Sequence, residues 1–227
     1  IYKAQLGYEI GATYLAAGQQ DDAAYWFRKV MSLYPTAYGA YQSLVALLEM
    51  DLTVEPLQRG IVNYHAGQYQ RAIEVLESYM TTQAKPDVPQ ALLYIGLAQR
   101  DLQSWDAALA TFEKIVKSYP DSDQARDAMF QRGVVLQLSA DPRGAVAAYE
   151  RVLKWYPGYV QAPEVLWRQA QLWGDLGEPA KASAAYESLY TKYPRSGYAT
   201  RAQLLAGLGY YQAGEHEKAR LAWETAL

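Results

Sequence analysis

The chain has no cysteine. That absence removes disulfides, thiolate metal sites and cysteine nucleophiles together. Histidine is almost missing as well: His65 and His216 are the only two, far apart along the chain. The usual zinc spacings and a histidine-based acid–base pair are therefore not on offer. His216 stands between Glu215 and Glu217 near a helix start, where a solvated imidazole is the simplest reading. Positive charge is not in excess, because 21 Lys and Arg face 24 Asp and Glu for a net charge of −3. A general nucleic-acid binder needs clustered cations, so no nucleic-acid partner is expected. Long apolar runs are absent too. "LVALL" at 44–48 and "GVVL" at 133–136 fall far short of the roughly 20 residues of a membrane span. The chain opens at Ile1 without a basic-then-apolar segment, which fits a mature form, a domain or a fragment.

What is present is repetition. "KSYPDSDQARDAMFQRG" (117–133), "KWYPGYVQAPEVLWRQA" (154–170) and "TKYPRSGYATRAQLLAG" (191–207) share Tyr-Pro and a small residue thirteen positions after the Pro. Phe112, Tyr149, Tyr186 and Trp223 follow one another in steps of 37. Ala108, Ala145, Ala182 and Ala219 stand four residues before them, and Gly96, Gly133, Ala170 and Gly207 twelve residues before those alanines. Gly11, Ala23, Phe27 and Pro35 make an earlier unit, and Gly60, Ala72 and Leu76 another whose Pro86 falls two residues late.

The spacing predicts antiparallel helix pairs. Small residues let two helices approach closely, and the bulky residue one turn further on should fill the space beyond the contact. Gly18, Gly67, Gly177 and Gly214 sit where the first helix must end and the chain reverse. Gln103 and Ala140 hold that place in two units, whose turns should be tighter or less regular. The proline then stops the second helix, since it has no backbone N–H to continue the ladder.

This pattern resembles the tetratricopeptide repeat, and "IGATYLAAGQQDDAAYWFRKVMSLYP" (10–35) carries it clearly. The resemblance implies an all-α, right-handed α-solenoid of about six helix pairs. The unit of 37 residues is longer than the usual repeat of roughly 34. The surplus falls after the Pro in "DSD", "GYV" and "RSG", and should lengthen the loop or the start of the next first helix. One stretch breaks the array: "AYGAYQSLVALLEM" (37–50) reads as an extra helix from Tyr41, Leu44, Leu47 and Leu48, with Pro56 opening the next helix at its first turn. The expected division is 1–36, an extra helix at 37–52, then units 53–88, 89–125, 126–162, 163–199 and a truncated 200–227. The helix of 215–227, with Ala219, Leu221, Ala222, Trp223, Ala226 and Leu227, reads as an interior one, so further chain or a partner subunit is expected to cover it.

No catalytic residue, cofactor or metal is expected. Asp21, Asp22, Asp106, Glu178 and Glu215 all stand near the start of a second helix, where they complement the helix dipole without doing chemistry. A binding face is the better candidate. In tetratricopeptide arrays the first helices line the concave side, and Leu57, Leu93, Phe130, Trp167 and Leu204 hold one equivalent place on them, flanked by Arg132, Arg168 and Arg201. That ladder suits an extended peptide or a glycan-bearing partner. Equally, regular apolar residues on helices pack between neighbouring units. The clamp with which some tetratricopeptide co-chaperones grip a terminal carboxylate needs asparagine, and Asn63 is the only one here.

The "YP-x-S" openings, as in "YPDSDQARDA" and "YPRSGYATRA", look like bacterial cell-envelope members of the family. "RGIVNYHAGQYQRAIEVLESYM" (59–80) and "AGEHEKARLAWETAL" (213–227) are similar to the superhelical region that precedes the catalytic domain of soluble lytic transglycosylases. These resemblances imply a periplasmic or cell-envelope location, with the cytoplasm as the other possibility. They imply a non-catalytic scaffold for a protein or peptide partner, as a subunit of a larger complex. The alternative is the accessory part of a peptidoglycan-cleaving enzyme.

Overall fold

The computed structural model describes residues 2–224. Among them are thirteen α-helices and no strand. In order they are α1 (Tyr2–Ala16), α2 (Gln20–Leu33), α3 (Tyr38–Glu49), α4 (Pro56–His65), α5 (Tyr69–Thr82), α6 (Val88–Asp101) and α7 (Trp105–Ser118). There follow α8 (Asp123–Leu138), α9 (Pro142–Trp155), α10 (Ala162–Asp175), α11 (Pro179–Lys192), α12 (Ala199–Gln212) and α13 (His216–Glu224). The last three residues of the helix expected over 215–227 lie outside the described residues. The chain forms two compact units, Ile1–Tyr119 and Pro120–Leu227.

Six helix pairs account for twelve of the helices: α1 packs with α2, α4 with α5, α6 with α7, α8 with α9, α10 with α11 and α12 with α13, and α11 packs at least as extensively on α12 of the next pair. The glycines explain how the partners come so close. A Cβ at Gly11, Gly60, Gly96, Gly133 or Gly207 would land inside Phe27, Leu76, Phe112, Tyr149 or Trp223 respectively. The large residue thus sits directly across the glycine, in the room its missing side chain leaves, rather than beyond the contact as the spacing suggested. Phe27, Leu76, Phe112 and Tyr149 are fully buried there.

The turns inside the pairs correct another expectation. Gln103 and Ala140 take φ of 59° and 63°, beside 74–78° for Gly18, Gly67, Gly177 and Gly214. They close the same two hydrogen bonds as well: Gln103 N to Arg100 O and Ser104 N to Gln99 O repeat Gly18 N to Leu15 O and Gln19 N to Tyr14 O. These turns are as regular as the glycine ones, because packing of the flanking helices imposes a left-handed backbone that an L side chain adopts only at a cost. Four of the second helices end alike: Tyr34, Tyr119, Tyr156 and Tyr193 all cap with φ between −128° and −137° and ψ of 50–66°. Each precedes a proline, whose Cδ excludes the α region for the residue before it.

α3 is the helix outside the six pairs. α3 packs on both α1 and α2, as α6 packs on α4 and α5, so it takes a first helix's place beside the opening pair. It ends in the same left-handed turn, at Asp51 with φ 55°. Residues 52–55 then lead into α4 instead of a second helix. Pro56 does open α4, and the Glu55 carboxylate accepts from Leu57 N and Gln58 N at 3.1 and 2.7 Å.

Candidate functional site

Within residues 120–227 the first helices α10 and α12 bound a groove of about 590 Å³. Gln171, Gly174 and Asp175 of α10 face Leu205, Leu208 and Gln212 of α12, over Ala182 and Tyr186 of α11, and Gln137 of α8 completes the lining. Small residues keep it open: a Cβ at Gly174 would meet nothing within 4 Å. Gly209 lets α12 settle against the buried Ser183, which a Cβ there would strike. Burial pushes the Tyr186 phenol up from its ordinary value, with Arg201 opposing and Asp175 reinforcing the shift.

Three carboxamides and one carboxylate give the lining its chemistry. A carboxamide both donates and accepts, so Gln137, Gln171 and Gln212 match the alternating N–H and C=O of an extended backbone. Gln137 Oε1 already accepts from Tyr149 Oη at 3.1 Å. Asp175 is the only charged residue in the lining and forms no ion pair among the described residues. Leu205 and Leu208, the latter 44% exposed, supply an apolar wall.

The ladder expected from the sequence is placed differently along its length. Leu57 and Leu93 are half-buried in the first compact unit. Phe130 and Trp167, at 3% and 8% exposure, are core residues, while Leu204 is 60% exposed. Depth comes from the loop ahead of the next first helix. Tyr159 packs on Phe130 (ring centroids 6.2 Å apart) and Tyr198 stacks on Trp167 at 5.3 Å and 26°. The next arginine then covers what remains: Arg168 lies 5.9 Å over Phe130 and Arg201 5.3 Å over Trp167. Phe130 and Trp167 therefore follow the packing reading of the ladder, because tyrosines and guanidinium faces occupy the surface a partner would need. Arg168 is held further by Glu164 at 2.9 Å. Arg132 is half-buried on α8, and Arg201 is exposed.

The groove-lining Gln171, Asp175, Leu208 and Gln212 were missed by the sequence reading. Their signal was available in the same register, since 171 and 208, like 175 and 212, are one step of 37 apart on the turn after the small residue.

The first compact unit holds a different cluster, made of Tyr64, His65, Tyr69 and Tyr94. Tyr64 lies 5.0 Å from the His65 ring, 5.8 Å from Tyr69 and 5.4 Å from Tyr94. Tyr64 Oη donates to Asp101 Oδ2 at 3.0 Å, and Arg100 pairs with the other carboxylate oxygen at 2.7 Å. Burial, then the Asp101 charge, push the Tyr64 phenol up to about 12, while burial lowers the His65 imidazole. The polar atoms of Tyr64, Asp101 and Arg100 satisfy one another, which is what a structural network does. No group of three or more His, Asp or Glu able to hold a metal occurs among the described residues, and no described helix is long and apolar enough to cross a membrane.

Comparison with known proteins agrees with this geometry. The tetratricopeptide repeat family model matches residues 90–122, 127–159 and 164–196. No curated protein sequence matches. Among solved structures, a crystal structure of MamA is 22% identical, covers 74% of this chain and 91% of its own, and superposes with a TM-score of 0.57. Another MamA structure gives 22%, 76%, 88% and 0.58. MamA from residue 41 onward, from Desulfovibrio magneticus RS-1, gives 16%, 75%, 90% and 0.56. Identities of this size speak to the fold: an all-α array of paired helices.

Proposed function

Because the chain carries tetratricopeptide repeats, we propose that it is a non-catalytic interaction scaffold whose first-helix groove in residues 120–227 takes an extended segment of a partner protein. The groove lined by Gln137, Gln171, Asp175 and Gln212 carries this reading. Amides along its length hydrogen-bond a peptide backbone, Leu205 and Leu208 accept an apolar side chain, and Asp175 favours a basic one. From the ladder, Leu204 and Arg201 remain at the surface to extend the contact. We place the scaffold in a bacterial cell-envelope assembly, a reading supported by the likeness of its "YP-x-S" openings to envelope members of the family. The likeness of 59–80 and 213–227 to lytic transglycosylases is the support for the second reading, an accessory region of such an enzyme, in which peptidoglycan strands are the expected ligand.

Panning a displayed peptide library tests the first reading. Gly174→Trp puts a large side chain into the groove from a position where a Cβ meets nothing within 4 Å. Enriched peptides should bind the parent chain and lose at least about tenfold in affinity for the filled variant, with unchanged thermal stability. Peptides that bind both alike, or a panning that enriches only purified peptidoglycan fragments offered alongside, would defeat it.

A further inference from the structure

The opposite side of residues 120–227, where the second helices lie, carries grooves that the first-helix reading leaves unused. One, of about 780 Å³, runs between α9 and α11 over α10. Leu153, Leu166 and Trp173 give it an apolar floor, and the small residues Ala184, Ala185 and Ser188 of α11 keep one wall low. One repeat later the groove recurs between α11 and α13, at about 460 Å³. There Glu187, Pro194, Tyr210 and Lys218 stand where Glu150, Pro157, Trp173 and Lys181 stand in the first.

The charges are ordered alike in both. Each glutamate turns inward: Glu187 accepts from Tyr210 Oη at 2.6 Å and Glu150 from Gln169 Nε2 at 3.5 Å. Each lysine lies outward over the aromatic ring, Lys181 at 4.5 Å from Trp173 and Lys218 at 5.2 Å from Tyr210. Glu178 and Glu215 pair with these two lysines from the preceding turn. The α9–α11 groove has in addition Lys192 at its far end, which makes no ion pair among the described residues. Of the charged residues that line it, Lys181 and Lys192 stand against Glu150. That is two cations to one anion in the lining, in a chain whose net charge is −3.

We propose that the α9–α11 groove docks an amphipathic helix of a partner protein whose apolar stripe is flanked by carboxylates. Two parallel helix walls with small residues let a third helix axis approach to the usual 8–10 Å or so. Lys181 and Lys192 are eleven residues apart, about 16 Å along α11, so acidic side chains three turns apart on the docked helix reach both. Glu150 is engaged with Gln169 and Lys181 is shared with Glu178, so Lys192 sets the sign at the groove's far end, and charge of that kind selects the partner and steers its approach.

The probe is a labelled synthetic helical peptide with a Leu/Ala stripe flanked by Glu, alongside a twin with Lys at every Glu position. Anisotropy titrations of the intact chain should show the Glu peptide binding about tenfold more tightly than its twin, with the difference shrinking between about 0.05 and 0.3 M salt as screening sets in. Lys181→Glu/Lys192→Glu should remove or reverse the preference. Lys192→Glu alone, at an exposed and unpaired position, should halve it even if the double variant is less stable. Gly174→Trp should leave it unchanged. Equal affinity for the twins, insensitivity to Lys192→Glu, loss of binding on Gly174→Trp, or binding of phosphatidylglycerol vesicles with no peptide binding would each overturn the proposal.

Discussion

Ala140 holds φ at 63° and Gln103 at 59°, a conformation that costs an L residue about 1–2 kcal/mol and glycine almost nothing. Ala140→Gly should therefore raise stability by about 1 kcal/mol even though glycine loosens the unfolded chain, and Gln103→Gly should do the same. Differential scanning calorimetry would show a rise of about 2–4 °C for each, and a fall would mean that the turns relax to another shape in solution. Gly133 is the converse case. A Cβ there meets the fully buried Tyr149 ring, so Gly133→Ala should destabilise by about 1–3 kcal/mol through overpacking. Trp167 decides between the two readings of the ladder. Packed between Tyr186 and Tyr198 and covered by Arg201, it should cost about 3–5 kcal/mol when cut to alanine. A Trp167→Ala chain that melts normally but loses a partner would return it to the binding surface.

At the scale of the helices, ends were far more legible in the sequence than depths. Tyr-Pro fixes the second-helix end at Tyr34, Tyr119, Tyr156 and Tyr193 through a local steric rule, so neighbours four residues away suffice to read it. Asp141 caps α9 by accepting from Gly144 N at 2.9 Å. Asp141→Ala should cost about 1 kcal/mol and Asp141→Ser much less, measured by urea unfolding; equal losses would assign the effect to charge rather than to the cap. Depth is different. A residue repeating every 37 positions looks the same whether it faces solvent or the next unit. What buries Phe130 and Trp167 is a tyrosine placed two residues after the Pro in one loop (Tyr159) and four after it in the next (Tyr198). A strict register cannot register that difference. The left-handed Gln103 and Ala140 were hidden for a related reason, since packing of two helices overrode the preference of one residue.

Across the whole molecule the tyrosines tie stability to alkaline pH. Burial pushes Tyr64 and Tyr149 up to about 12, against an ordinary value of 10.0. Burial also raises Tyr159, Tyr186, Tyr190 and Tyr210, and carboxylate acceptors add to this at Tyr159 and Tyr210, where Asp127 Oδ1 and Glu187 Oε2 accept at 2.7 and 2.6 Å. Each of these phenols holds its proton more tightly in the folded chain than in the unfolded one. Below about pH 10 both states are protonated and stability does not depend on them. From about pH 10 upward the unfolded chain ionises first and binds fewer protons, so stability falls as pH rises toward the folded values. These residues span α4 to α12 and so belong to both compact units, which means that neither should be exempt. A titration following tyrosinate absorbance and helical ellipticity together should show two stages, with accessible phenols ionising while the helices persist and a second group ionising only as ellipticity is lost. Complete tyrosinate formation with full ellipticity at about pH 12 would show that these side chains are open to solvent, and the helix packing described for both units would have to be revised.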